Sequence, residues 1–228
     1  RRRAHRSAGA DRVKRRLALA AAVVAVAVLH FSTRARVADS WDAVGFLRAV
    51  HDFDLAAFQP HFPGYPVYVA LCKLVRSPEL VSAIASAATA AALWRLAAAI
   101  AGRASAGFVA LALWAGALQP WLTGGAALAD ASATAIAAAA FAALSWPGAR
   151  AALLGAAAMA LAIGARASYW PLALSFAVVV ARWRPADVSA ALAGAVVVTR
   201  AWLLPFVAVV GARPLIALGR VQRAGHFP

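Results

Sequence analysis

The sequence predicts an all-α membrane protein: a polytopic bundle of about seven transmembrane helices, with a large first outer loop carrying two short interfacial helices. Two observations carry this. Hydrophobic residues make up 64% of the 228 positions and the mean hydropathy is +0.76, well beyond the roughly half-apolar composition of a soluble domain. The excess lies in long runs, and about 20 apolar residues are what a hydrocarbon core of about 30 Å asks of a helix.

The runs are Leu17–Phe31, Leu80–Ala101, Ser105–Leu118, Leu128–Trp146, Ala151–Ala165, Tyr169–Ala181 and Val188–Val210. Much of their bulk is alanine, whose small side chain lets helices approach closely in lipid. Tyr65–Val75 is apolar but too short to cross, and is expected to lie on the outer surface.

The formal charge of +15 has two sources. Residues 1–16 form a basic tail, and the remaining cations mostly punctuate the ends of the apolar runs. That is a positive-inside pattern with a tail suited to anionic headgroups, and it argues against nucleic acid as partner. With the tail cytoplasmic, Arg103, Arg150 and Arg184 fall inside, and residues 32–79 and 119–129 fall outside. Arg1–Leu29 also has the layout of a signal peptide. Arg36 stands where a small residue is wanted for cleavage, so an uncleaved first helix is expected. Residues 17–228 are read as one membrane domain, the front part of a longer chain. Cys72 is the sole cysteine and forms no intrachain disulfide.

The segment 32–79 holds five of the eight acidic residues, five basic ones, and Pro60, Pro63, Gly64, Pro66 and Pro78 as turn markers. It is expected to form short helices over Ser40–Val50 and Pro66–Val75. Loops on a rigid scaffold are where chemistry tends to sit. Asp39 and Asp42, three apart at a helix start, put two carboxylates on one side. They serve either as N-cap and first-turn acid or as catalytic groups. The turn His61-Phe62-Pro63-Gly64-Tyr65-Pro66 offers an imidazole and a phenol to a polar ligand, or merely connects loop to helix. Asp130 opens the fourth membrane helix on the same side, as ligand-binding group or cap. Arg166 falls in the Gly164–Ser168 break between two apolar runs, on the outer side, and Arg200 interrupts the last run in its outer half. An intramembrane arginine needs a partner: a lipid phosphate, Asp130, or the interface reached by snorkelling.

Asp39-Ser40-Trp41-Asp42 followed by His61-Phe62-Pro63-Gly64-Tyr65-Pro66 resembles a pattern of the GT-C glycosyltransferases, in the branch related to protein O-mannosyltransferases. The family pattern reads aspartate-serine-glycine-glutamate, then histidine-proline-proline-glycine-tyrosine-proline. Here Trp41 replaces the glycine, Asp42 the glutamate and Phe62 a proline, and the spacer is longer. The resemblance covers about 30 residues. It implies inverting transfer of a sugar from a polyprenyl-phosphate donor to a protein or glycan hydroxyl at the non-cytoplasmic face. On that reading Asp39 is the base and Asp42 binds acceptor or metal. His61, Tyr65 and Asp130 contact substrate, and Arg166 or Arg200 the departing phosphate. The aspartates permit a divalent cation and nothing in the sequence requires one. No metal-ligand cluster, glycine-rich phosphate loop or Ser-His-Asp arrangement is legible. The alternative is a transporter or lipid-carrier flippase. Charges at midplane and duplicated halves would mark such a protein, and neither is seen.

Overall fold

A computed structural model describes residues 2–38, 40–146 and 148–226, with side chains between Val13 and Val221 at those positions. The helices are α1 (Arg2–Ser32), α2 (Trp41–His51), α3 (Pro66–Val75), α4 (Pro78–Ala101), α5 (Ala104–Gly116), α6 (Leu118–Gly124), α7 (Ala129–Ala143), α8 (Ala149–Ala165), α9 (Trp170–Val180), α10 (Pro185–Val210) and α11 (Ala212–His226). A 3-10 turn, Ala167–Tyr169, links α8 to α9. Among the described residues there is no strand. The one isolated bridge joins Asp54 to Gln59, each N–H donating to the other's carbonyl at 2.8 Å.

Local chemistry explains the boundaries. Alanine has the highest helix propensity, and in an apolar medium only a helix satisfies its own backbone polar groups. Proline stands in the first turn of α3, α4 and α10, where its missing N–H costs nothing. The Ser77 hydroxyl caps α4, accepting from the Leu80 N–H at 3.2 Å.

Among the described residues three helices are long and apolar enough to cross a membrane: Val13–Ser32 within α1, then α4 and α10. A fourth span results if α5 and α6, bent by 63°, act together. The sequence reading of about seven is therefore established only in part. The run Leu128–Trp146 is helical only over Ala129–Ala143, because its last residues form a turn, and at 15 residues α7 spans about 22 Å. α8 has 17 residues and α9 has 11, since the polypeptide between them breaks at Arg166.

α4 packs on α1, α5 and α7, while α8 packs on α7, α10 and α3. Small residues set these distances. A Cβ on Gly194 of α10 would collide with the Leu153 carbonyl of α8. Two indoles tie neighbours together: Trp114 donates to the Ser86 carbonyl at 3.0 Å, and Trp202 to the Ala160 carbonyl at 3.2 Å. At one end of the bundle the Ala35 N–H donates to the Gly125 carbonyl at 3.1 Å, so the segment after α1 meets the segment before α7. At the other end the Arg95 guanidinium lies over the Trp146 ring, 4.2 Å from its centroid.

Candidate active site

The site gathers at the end of the bundle where α2, α3 and the starts of α4 and α7 meet. Phe46 of α2 is its hub. It is buried and makes edge-on contacts at 4.9 Å with the rings of both Tyr65 and Tyr68. His61 packs on the same ring at 5.9 Å. These apolar contacts fix the two polar side chains that sequence reasoning selected from the loop.

The cap of α2 is Ser40, whose hydroxyl accepts from the Ala43 N–H at 3.2 Å. This corrects the capping role considered for Asp39; Asp39 itself lies outside the described residues. Asp42, in the first turn, is thus not needed as the cap. Its Oδ1 lies 3.4 Å from His61 Nδ1, and His61 Nε2 lies 2.7 Å from the Tyr65 hydroxyl. Carboxylate, imidazole and phenol form one line.

The turn before α3 builds this geometry. The Gly64 N–H donates to the His61 carbonyl at 3.0 Å, and Gly64 has φ +98°. Any Cβ there would sit 2.8 Å from the Phe206 ring of α10 and 3.1 Å from Leu55. Tyr65 follows at φ +49°, in the left-handed region that costs an ordinary residue about 1–2 kcal/mol. Such strain is retained where surrounding packing over-determines it, and it clusters at functional sites. Here it turns the phenol back onto His61 just before Pro66 starts α3.

A second pair stands behind the first. Arg166 Nη1 donates to Asp130 Oδ2 at 2.8 Å, both side chains being less than a third exposed. Asp130 lies in the first turn of α7, and Arg166 at the end of α8. Thr134 donates to the Asp130 carbonyl at 2.8 Å, and its hydroxyl lies 2.6 Å from that of Tyr169, which therefore donates to it. Of the partners considered for Arg166, the structure contains Asp130.

The two pairs sense each other. Burial pushes the His61 pKa below its ordinary value; Asp42 pulls it up and Arg166 pushes it further down. Burial raises the Tyr65 pKa, Arg166 opposes that, and Asp42 and Asp130 add to it. A neutral imidazole, with Nδ1–H toward Asp42 and Nε2 accepting from the phenol, fits this balance.

Arg200 is not brought to this cluster. It is exposed on α10 and has no ion-pair partner among the described residues. Its helix does reach the site one turn and a half later, where Phe206 meets Gly64 and the Phe53 ring.

A cavity of about 970 Å³ opens beside Asp42 and His61. Its walls come from α2 (Trp41, Val44, Gly45, Arg48), from Phe58 and Phe62 of the loop, and from Leu218 and Val221 of α11. Tyr65, Asp130 and Arg166 do not line it, so the sequence-selected residues divide into a cavity-facing pair and a supporting set. Sequence reasoning passed over Trp41 and Arg48. Their spacing with Val44 and Gly45, at i, i+3, i+4 and i+7, was the available signal of one shared helix face. No group of three metal-ligating side chains occurs among the described residues; Asp42 and His61 are the two that meet here.

No protein-family model, curated protein or solved structure matches this chain.

The chemical capacity of the site follows from its parts. Asp42 is about half exposed toward the cavity, and its Oδ2 remains available to accept a proton. His61 fixes the other oxygen and spreads charge toward Tyr65. A carboxylate held by an imidazole at the rim of an aromatic-walled cavity suits base catalysis on a hydroxyl.

Proposed function

We propose that this chain is a membrane glycosyltransferase of the GT-C type, moving a sugar from a polyprenyl-phosphate donor to an acceptor hydroxyl at the non-cytoplasmic face. The observation that carries the reading is the Asp42–His61–Tyr65 line opening on the 970 Å³ cavity. It joins the two segments whose residues resemble the GT-C pattern.

In the proposed reaction the acceptor oxygen attacks the anomeric carbon from the face opposite the phosphate. The new C–O bond forms as the glycosyl–phosphate bond breaks, and polyprenyl phosphate leaves with the electron pair. Asp42 takes the acceptor proton. A phosphate leaving group needs no acid, so the base and a cation for the departing charge suffice. Of the two sequence-chosen cations neither borders the cavity, Arg166 being paired with Asp130 and Arg200 exposed on α10, so in this proposal the cation for the departing phosphate comes from the cavity wall.

The membrane arrangement belongs to the same proposal. α1 leaves the cytoplasm, the 32–79 segment lies outside, and α7, α8 and the apolar stretch Ala167–Val180 complete about seven crossings between the longer helices. The meeting of Ala35 with Gly125, and of Arg95 with Trp146 at the opposite end, supports this assignment of ends.

The test is transfer by the full-length protein, reconstituted in liposomes with a panel of polyprenyl-phosphate sugars and hydroxyl acceptors. Sugar transferred by wild type and not by Asp42→Asn is the expected result. Translocation of the lipid-linked sugar without transfer would instead establish a flippase.

A further inference from the structure

The cavity has two walls of different character. Asp42 and His61 stand on one side, while Trp41 and Arg48 of α2 bring an indole and a guanidinium to the same space. Trp41 is 91% exposed, an unusual condition for the largest apolar side chain. Arg48 is exposed and has no carboxylate within ion-pair distance among the described residues. Ordinary roles exist for each. A tryptophan can anchor at a lipid interface, and an arginine in a last helical turn complements the macrodipole. Neither role explains why both border the cavity beside Asp42.

Seven residues of helix place the two Cα atoms about 10 Å apart, and a helical side chain leans toward the N-terminus. Arg48 therefore leans back toward Trp41 on the same helix face, while Gly45 between them lets the Phe58 carbonyl approach, 3.0 Å from where a Cβ would stand. An exposed indole offers a flat, electron-rich face to the polarised C–H bonds of a sugar ring. A guanidinium offers a forked donor to phosphate. Asp42 repels a phosphate, so a ligand carrying both groups has one orientation: phosphate at Arg48, sugar against Trp41, reacting carbon between Arg48 and Asp42.

We propose that Trp41 and Arg48 form the recognition surface for a sugar 1-phosphate head group, Trp41 stacking on the ring and Arg48 holding the phosphate. This deepens the transferase reading and rests on it for the identity of the head group. Trp41 stands where the resembled pattern has glycine, so the stacking surface belongs to this chain's own residues.

Binding can be measured without turnover. The full chain in nanodiscs of zwitterionic lipid is titrated calorimetrically with mannose, glucose and arabinose 1-phosphates, the free sugars, and inorganic phosphate. At least one sugar phosphate binds wild type. Arg48→Gln weakens that ligand and inorganic phosphate alike, by about tenfold. Trp41→Leu weakens the sugar phosphate by about fivefold and leaves inorganic phosphate unchanged, while Trp41→Phe restores binding. No sugar phosphate bound, or equal affinity in Trp41→Leu and wild type, overturns the proposal. So does brominated-lipid quenching of the Trp41 share of the fluorescence, taken as wild type minus Trp41→Leu because the chain has eight tryptophans, that sugar phosphate does not relieve, because the indole is then a membrane anchor. A chain that binds and does not transfer keeps this inference and loses the transferase; one that transfers with both variants unaffected does the reverse.

Discussion

His61 Nε2 and the Tyr65 hydroxyl lie 2.7 Å apart across a turn of four residues, and the phenol reaches that position only because Tyr65 adopts φ +49°. The strained residue and the residue that contacts His61 are the same. Packing of Phe46 against both rings stabilises a backbone conformation that a tyrosine rarely visits.

The titration of His61 reports this geometry. Its pKa is lowered by burial, raised by Asp42 and lowered by Arg166. Asp42→Asn should therefore move it down and Arg166→Gln should move it up, with histidine NMR resolving the shift against the other four imidazoles. The stability sign follows from the lowered value. Between the folded pKa and the ordinary 6.5, the unfolded chain holds more protons than the folded one. Stability contributed by this group is complete above 6.5 and declines as pH falls toward the folded value. Equal shifts in both variants, or none, would remove Asp42 and Arg166 from the environment of His61.

Gly64 is expected to tolerate no side chain. Gly64→Ala adds a methyl 2.8 Å from the Phe206 ring and forces φ +98° on a residue that disfavours it. The backbone part alone is worth about 1–2 kcal/mol. Phe206→Ala in the same chain should relieve the collision and leave the backbone part. A double-mutant cycle on thermal unfolding separates the two. Additive losses would mean that α10 does not press on this turn.

Orientation is open to a labelling experiment. Cys72 is the sole cysteine and is buried, so its replacement by serine gives a blank background. Single cysteines at Thr123 and Asp42 should react with an impermeant thiol reagent from one side of the membrane, and cysteines at Arg103 and Arg150 from the other. Thr123 and Asp42 on opposite faces would dismantle the proposed arrangement.

Helix content, and helix over Trp41–His51 and Pro66–Val75, were legible because alanine runs and prolines act locally; the cap of α2 was read one residue early, at Asp39, where Ser40 carries it. His61 and Tyr65 were legible for the same reason, since a Pro-Gly turn brings residues four apart together whatever surrounds them. The division of the site was not. That Arg166 faces Asp130 and that Arg200 is left outside depend on how α7, α8 and α10 rotate about their axes. In segments made of alanine on every side, no hydrophobic face records that rotation. Span number was legible only in part: the break at Arg166 shows as the gap between two apolar runs, but a run does not say where a turn at Leu144 will shorten it.

The cap and the cavity-facing carboxylate of the α2 start are different residues. Ser40 caps α2, accepting from Ala43, while Asp42 faces His61 and the cavity. Ser40→Ala removes the cap and should cost about 1 kcal/mol of stability, with transfer per folded molecule retained. Asp42→Asn keeps size and helix position and loses the proposed base. It should leave the unfolding temperature close to wild type and reduce transfer about 10²–10⁴-fold, which is roughly 3–5 kcal/mol of barrier. The pair of variants thus predicts opposite columns: one changes stability, the other turnover. Asp42→Glu tests whether the proton acceptor must stand where it does, because a longer carboxylate keeps the chemistry and alters its reach to His61. Partial transfer by Asp42→Glu, none by Asp42→Asn, and full transfer by Ser40→Ala is the expected order. Wild-type transfer by Asp42→Asn would leave the carboxylate as a polar lining of the cavity, and the base would have to be sought elsewhere in the site.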